Sequence, residues 1–237
     1  RHDMAEPLRA VPAHSSADPG ILAAQAQDDL VVGDEVVRFR YYTRAVHWGV
    51  ALTFFLCLFT GLPIWTPIFG WLAPLFGGLQ VCRWLHPWTG VAFSVFALLQ
   101  FVHWGGEMKM TAADKRFTKL KTFLAYMRWE GHDEEVGKFN GGQKSLFWLS
   151  SLAALALLAT GVVLWWPNYF SNPFREASWI LHDVAFILFF LLIIGHIYLT
   201  IAEPGTFRGM VKGTVTKAWA RLHHPAWYRD VTGERRR

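Results

Sequence analysis

The sequence predicts an all-α integral membrane protein, a bundle of four helices, and three observations carry the prediction. Charge is scarce: 17% of the 237 residues are Asp, Glu, Lys or Arg, where soluble domains have roughly 25%. The charges are also absent in blocks, from Val46 to Val81, Leu85 to Gly106, Ser145 to Pro173 and Val184 to Ala202. Blocks of this size match the roughly 20 apolar residues that carry a helix across the hydrocarbon core. Finally, Trp48, Trp65, Trp71, Trp84, Trp104, Trp165, Trp166 and Trp179 crowd the block ends, where amphipathic rings settle at headgroup level.

In chain order, residues 1 to about 34 hold Ala, Pro, Asp and Ser without a sustained helical period. An N-terminal arm over 1–37, poorly ordered or ordered by a partner, is expected. A membrane domain should occupy 38–205. Its first helix is predicted from Val46 to Trp65, stopped by Pro63 and Pro67, and its second from His86 to Gly105. The third runs from Ser145 to Trp166 ahead of Pro167, and the fourth from Trp179 to Ala202 ahead of Pro204. Between the second and third, Lys119–Trp129 has apolar residues at helical spacing with bases among them. That pattern predicts a short helix lying on the membrane surface.

Orientation follows from the basic residues. Arg38, Arg40 and Arg44 precede the first span, Lys109, Lys115, Arg116, Lys119, Lys121, Arg128, Lys138 and Lys144 fill the middle connection, and Arg208 to Arg237 follow the fourth span. The other side offers Arg83 and Arg175. Both termini, including a tail over 206–237, and the middle connection are therefore expected in the cytoplasm. The same placement explains the net charge of +5 without nucleic acid, which is not an expected partner. Cys57 and Cys82 form neither C-x-x-C nor C-x-x-C-H. That excludes a zinc ribbon, a thiolate-held iron–sulfur cluster and covalent haem, and leaves the two as apolar filler.

Ionisable groups inside a bilayer are expensive and tend to mark function. His47, His86, His103, His182 and His196 fall in or at the ends of the predicted spans. His182 and His196 share one helix, 14 residues apart, which is about 21 Å of rise and within roughly 40° of one face. His47 opens the first helix level with His196, and His86 opens the second level with His182. Two facing imidazoles without cysteine or carboxylate suit bis-histidine haem iron; copper also takes imidazole, but a lone two-histidine copper site is unusual. His103, 17 residues after His86, turns about 100° off that face and is read as interfacial. Arg44 and Arg83 each stand three residues before a candidate ligand. A guanidinium one turn towards water suits a haem propionate, with headgroup anchoring as the plainer alternative.

At these residues the chain resembles a known family, the membrane cytochrome b (gamma) subunit of respiratory formate dehydrogenases. The resemblance rests on Arg44-Ala45-Val46-His47-Trp48, Arg83-Trp84-Leu85-His86-Pro87, residues 137–144 (G-K-F-N-G-G-Q-K), Leu181-His182, His196-Ile197-Tyr198 and the tail His223-His224-Pro225-Ala226-Trp227-Tyr228-Arg229. It implies a four-helix anchor in the bacterial inner membrane that holds two non-covalent b haems on His47, His196, His86 and His182. It further implies an iron–sulfur subunit and a molybdenum or tungsten catalytic subunit as partners, and menaquinone or ubiquinone as electron acceptor. The chain would then lack the catalytic centre of the oxidoreductase and contribute its quinone-reduction site. Asn140, Gly142 and Gln143, beside the His196 haem, would bind the quinone through amide and free N–H donors; on the residues alone they are an N-cap and an opening turn. His132, Asp133, Glu134 and Glu135 read as a solvated loop face, with proton supply to quinone as the alternative.

Other functions compete. The cytochrome b subunit of a nickel–iron hydrogenase shares the same features. A non-redox anchor leaves the two levelled histidine pairs and their matching Arg-x-x-His openings unexplained. A small transporter is disfavoured by four spans, no detectable inverted repeat and the expectation of no intramembrane carboxylate.

Overall fold

The computed structural model describes residues 19–117, 136–203 and 205–234. In chain order its elements are α1 (Pro19–Ala26), β1 (Val31–Val32), β2 (Glu35–Val37), α2 (Tyr41–Trp65), α3 (Leu79–Trp104), α4 (Ala112–Phe117), α5 (Gly141–Trp165), α6 (Asn172–Ala202), α7 (Thr206–Lys212), β3 (Thr214–Thr216), α8 (Lys217–His223) and α9 (Pro225–Thr232), with 3₁₀ turns at Pro67–Phe76 and Pro167–Tyr169. The described residues fall into two compact units, one of 45–117 with 139–202, the other of 19–44, 136–138, 203 and 205–234.

The first unit is the helical bundle. Helices α2, α3, α5 and α6 are each long and apolar enough to cross a membrane. Only 28% of the apolar window of α2 and 6% of that of α3 is buried within the protein. Leu52, Leu98, Leu152 and Ile201 all face outwards. Helices apolar on every side belong in lipid. Helix α5 lies closest along α6, and α3 along α5. The centre holds Phe54, Leu58, Phe93, Ala154 and Phe189. The Phe189 ring stands 5.2 Å from Phe54 and 5.9 Å from Phe93. Phe189 is seven residues from both His182 and His196, so this aromatic layer marks the level midway between them.

The span starts differ from the sequence expectation, each for a physical reason. Helix α3 begins at Leu79 rather than His86, because its break is set by Gly77 and Gly78 at φ +93° and +109°. Arg83 and Pro87 sit inside the helix without stopping it. Helix α6 begins at Asn172 rather than Trp179, since Pro173 occupies a first turn where its missing N–H would have had no partner. Pro63 likewise lies within α2, near its end, where neighbouring helices tolerate proline. Helix α5 starts at Gly141, capped by Asn140. Its Lys144 is buried in an ion pair with Asp114 at 2.6 Å. Burial alone would raise the Asp114 carboxyl, but Lys144 and the Thr111 donors outweigh it and hold the group below the usual carboxylate range.

In the second unit, residues 19–37 of the arm expected to be poorly ordered or ordered by a partner carry defined elements. From Pro19 the arm is folded: α1 precedes a hairpin of β1 and β2, and β2 pairs with β3 from the tail, Val36 opposite Val215. Val36, Val215, Ala220, Trp227 and Tyr228 form its core. Asp28 and Asp29 accept from Lys138 at 3.2 and 3.3 Å, and Trp227 donates to Asp29 at 2.8 Å. Gly213 has φ +88°, and a Cβ there would lie 2.6 Å from Ala24 and 2.7 Å from the Phe39 carbonyl oxygen, so glycine is required. Arg38 is buried; it donates to the Lys138 carbonyl at 2.8 Å and to His224 Nε2 at 3.0 Å, and it stacks on Trp219. His224 in turn donates through Nδ1 to the Gly137 carbonyl at 2.6 Å. His224, Trp227 and Tyr228 of the His-His-Pro-Ala-Trp-Tyr tail are thus buried in this unit. The surface helix expected at Lys119–Trp129 lies outside the described residues.

Candidate functional site

Helix α6 supplies two histidines to two partners. The His47 ring on α2 faces His196, with ring centres 6.2 Å apart and planes at 59°. The His86 ring on α3 faces His182 at 6.3 Å and 74°. The structure therefore brings together the two pairs expected from helical spacing. An imidazole nitrogen stands about 2.0 Å from a metal it binds and about 1.1 Å from its own ring centre, so two rings in line on one ion have centres about 6.2 Å apart. Both pairs meet that separation, and among the described residues no group of three or more His, Cys, Asp or Glu offers a metal site. Two imidazoles and no more are the donor set of a bis-histidine haem.

The His86–His182 pair rests in two matching notches. His86 Nδ1 donates to the Cys57 carbonyl at 3.1 Å and lies 3.3 Å from the Thr60 hydroxyl, which itself donates to Leu56 at 2.6 Å. His182 Nδ1 lies 2.8 Å from the Thr160 hydroxyl, which donates to Ala156 at 2.7 Å. In both rings Nδ1 carries the proton, leaving the lone pair on Nε2 for a metal. A glycine follows each threonine: a Cβ at Gly61 would stand 2.8 Å from His86 Cε1, and one at Gly161 would stand 3.6 Å from His182 Cε1. Thr60 and Thr160 are buried. None of these four residues was singled out from the sequence, although Thr-Gly-x-x-x-Trp occurs at both 60–65 and 160–165. That repeat was the available signal.

The other pair is set differently. His47 Nδ1 is buried and has no hydrogen-bond partner among the described residues, while its ring meets the edge of Trp48 at 5.4 Å. Phe96 packs across the bare backbone of Gly49, where a Cβ would lie 2.5 Å from its ring.

The remaining expected residues are placed as follows. Arg44 Nη1 donates to the Val211 carbonyl at 2.6 Å, at the end of α7, and its Nε is buried without a partner among the described residues. Arg83 is exposed. Asn140 and Gln143 form a reciprocal capping box: the Asn140 side chain accepts from Gln143 N at 2.9 Å, and the Gln143 side chain accepts from Asn140 N at 3.0 Å. Gly142 lies between them in the first turn, with its N–H among the orphan donors of the helix start. His103 sits at the far end of α3 beside the Trp104 ring. His132, Asp133, Glu134 and Glu135 lie outside the described residues.

Comparison with known proteins agrees with this geometry. The family model described as prokaryotic cytochrome b561 matches residues 38–213, a stretch containing all four paired histidines and the capping box. The formate dehydrogenase cytochrome b556 subunit of Haemophilus influenzae is 36% identical over 200 residues, covering 82% of this chain and 83% of that protein. The nitrate-inducible cytochrome b556(Fdn) subunit of Escherichia coli K12 is 34% identical over 203 residues, 83% of this chain and 91% of the relative. Its cytochrome b556(fdo) counterpart is 35% identical over 202 residues, 84% and 94% of the two chains. The hydrogenase alternative is accordingly not favoured. The chain belongs to the prokaryotic cytochrome b561 family of membrane electron-transfer haem proteins.

Proposed function

We propose that the chain is the membrane cytochrome b subunit of a formate dehydrogenase, carrying electrons between two bis-histidine b haems, one on His86 and His182 and the other on His47 and His196. The observation that carries this reading is the equal spacing of the two pairs, 6.3 and 6.2 Å between ring centres, on helices long enough to span a bilayer. The haems supply reversible one-electron chemistry when bound. Hydrogen bonds to Nδ1 would keep His86 and His182 in the tautomer that leaves Nε2 free to hold a haem, and the two histidines of α6 would keep the two sites about 21 Å apart. Arg44 and Arg83 pair with propionates at the aqueous edges. Electrons arrive at the His86–His182 side from an iron–sulfur subunit, fed in turn by a molybdenum or tungsten subunit that oxidises formate. They leave from the His47–His196 side to quinone, bound by His196, Gly142 and the amide groups of Asn140 and Gln143. With both termini in the cytoplasm of the inner membrane, the quinone takes its protons from that compartment.

Haem content tests the reading directly. Purified chain reduced with dithionite should show b-type absorption, and an alkaline pyridine assay should give two haems per protein. His182→Ala and His196→Ala should each remove one. An unchanged stoichiometry in either variant would mean that its histidine is not a ligand.

A further inference from the structure

We propose that Thr160, and to a smaller degree Thr60, are positioning residues that lower the reduction potential of the His86–His182 haem below that of the His47–His196 haem. Resting on the bis-histidine reading above, the proposal adds an assignment of order: the threonine-backed pair is the low-potential one, so an electron placed there runs on to the other.

The argument is one of hydrogen-bond polarity. Thr160 gives its own proton to the Ala156 carbonyl at 2.7 Å, so towards His182 Nδ1, 2.8 Å away, it presents a lone pair. It therefore accepts the Nδ1 proton. Drawing that proton outward raises the electron density of the imidazole and makes Nε2 the stronger donor. A stronger donor favours the more highly charged ferric ion, and the potential falls. Thr60 repeats the arrangement with its proton on Leu56 at 2.6 Å, but its 3.3 Å contact to His86 is secondary to the 3.1 Å bond from His86 to Cys57. The effect at Thr60 is accordingly smaller. Among the described residues the other pair has no such acceptor: His47 Nδ1 is buried and unpartnered, and no hydrogen bond reaches the His196 ring. A glycine completes the device at His86: without a Cβ at Gly61, the ring reaches the Cys57 carbonyl, three residues before Thr60.

The test is a spectroelectrochemical titration of the full complex in detergent or native membranes, with haem content measured alongside. Thr160→Val removes the acceptor at nearly constant shape. It should raise one of the two potentials by a threefold to tenfold change in the oxidised-to-reduced ratio, about 28 to 59 mV for one electron. Thr160→Ser should restore the original value, and Thr60→Val should move the same haem by less. Thr53→Val is the control, since the Thr53 hydroxyl bonds the Gly49 and Val50 carbonyls; both potentials should stay in place. Loss of a haem in Thr160→Val that Thr160→Ser prevents also supports the proposal, because the hydroxyl and not its volume then holds the ring. Loss in both variants overturns it. Two retained haems with unmoved potentials also overturn it while leaving the ligand assignment standing, whereas wild-type protein without two haems removes that assignment itself.

Discussion

Replacing Gly61 with alanine should empty one histidine pair, while the same change at Gly161 should leave it filled. Alanine is the better helix former by about 1 kcal/mol, so neither change weakens its helix. The difference lies in what the new methyl meets. At Gly61 it would stand 2.8 Å from His86 Cε1 and 3.1 Å from Nδ1. Carbon atoms pack best at about 3.5 to 4.0 Å, so the ring must withdraw by about 0.7 Å. Metal sites hold their ligand distances to about 0.2 Å, so a withdrawal of that size takes His86 out of reach of an ion shared with His182. The retreat also strains the 3.1 Å bond to Cys57. At Gly161 the methyl would lie 3.6 Å from His182 Cε1, an ordinary contact. The assay is haem per protein by alkaline pyridine, with a reduced-minus-oxidised spectrum. Gly61→Ala should fall from two haems towards one, and Gly161→Ala should keep two. Equal haem content in the two variants would refute the reasoning, since nothing but the position of His86 distinguishes them.

Further tests address the quinone end and the extramembrane unit. Asn140→Asp keeps the oxygen that caps Gln143 N at 2.9 Å but deletes the amide donor, whereas Asn140→Ala loses both and weakens the helix start by about 1 kcal/mol. Both variants should slow reoxidation of formate-reduced haems by quinone in stopped flow without slowing their reduction; only Asn140→Ala should also lower the thermal midpoint. Normal reoxidation in Asn140→Asp would place the donor elsewhere. His224 is held neutral, its pKa pushed well below 6.5 by burial and by the Arg38 guanidinium, which donates to Nε2. Between that depressed value and the ordinary 6.5, the unfolded chain binds a proton that the folded one refuses, so stability rises with pH across the window and is lost on acidification. His224→Gln should flatten the acid side of a plot of thermal midpoint against pH; an unchanged slope would assign the dependence to another group.

The membrane helices were legible because a bilayer imposes its demand on every residue of a span, and charge-free blocks cannot hide. The histidine pairs were legible for a related reason: a helix is a rigid rod, so 14 residues fix both height and face. The capping box was also visible, as Asn140 and Gln143 in N-x-x-Q spacing. What stayed hidden depended on contacts that no local pattern encodes. Thr60 and Thr160 bond back to Leu56 and Ala156, as any helical threonine does, so their second contact to a histidine leaves no trace beyond the repeated Thr-Gly. The arm looked featureless because β2 finds its partner β3 some 180 residues later, far beyond any periodicity. The helices start earlier than the uncharged runs imply, because the backbone breaks at Gly77 and Gly78 ahead of Arg83, and Asn172 and Pro173 open α6 ahead of Asp183.

The aromatic layer of Phe54, Phe93 and Phe189 gives the bundle an electrical property. Ring against ring at 5.2 to 6.3 Å, it interposes hydrocarbon between the two histidine levels and has no hydroxyl or amide from which a relay of hydrogen bonds can be strung. An electron tunnels through such a medium; a proton, which must be handed from one lone pair to the next, does not. Between two haems bound as proposed, the layer would pass an electron and hinder a proton. Each charge so kept apart would store about 2.3 kcal/mol per 100 mV of membrane potential.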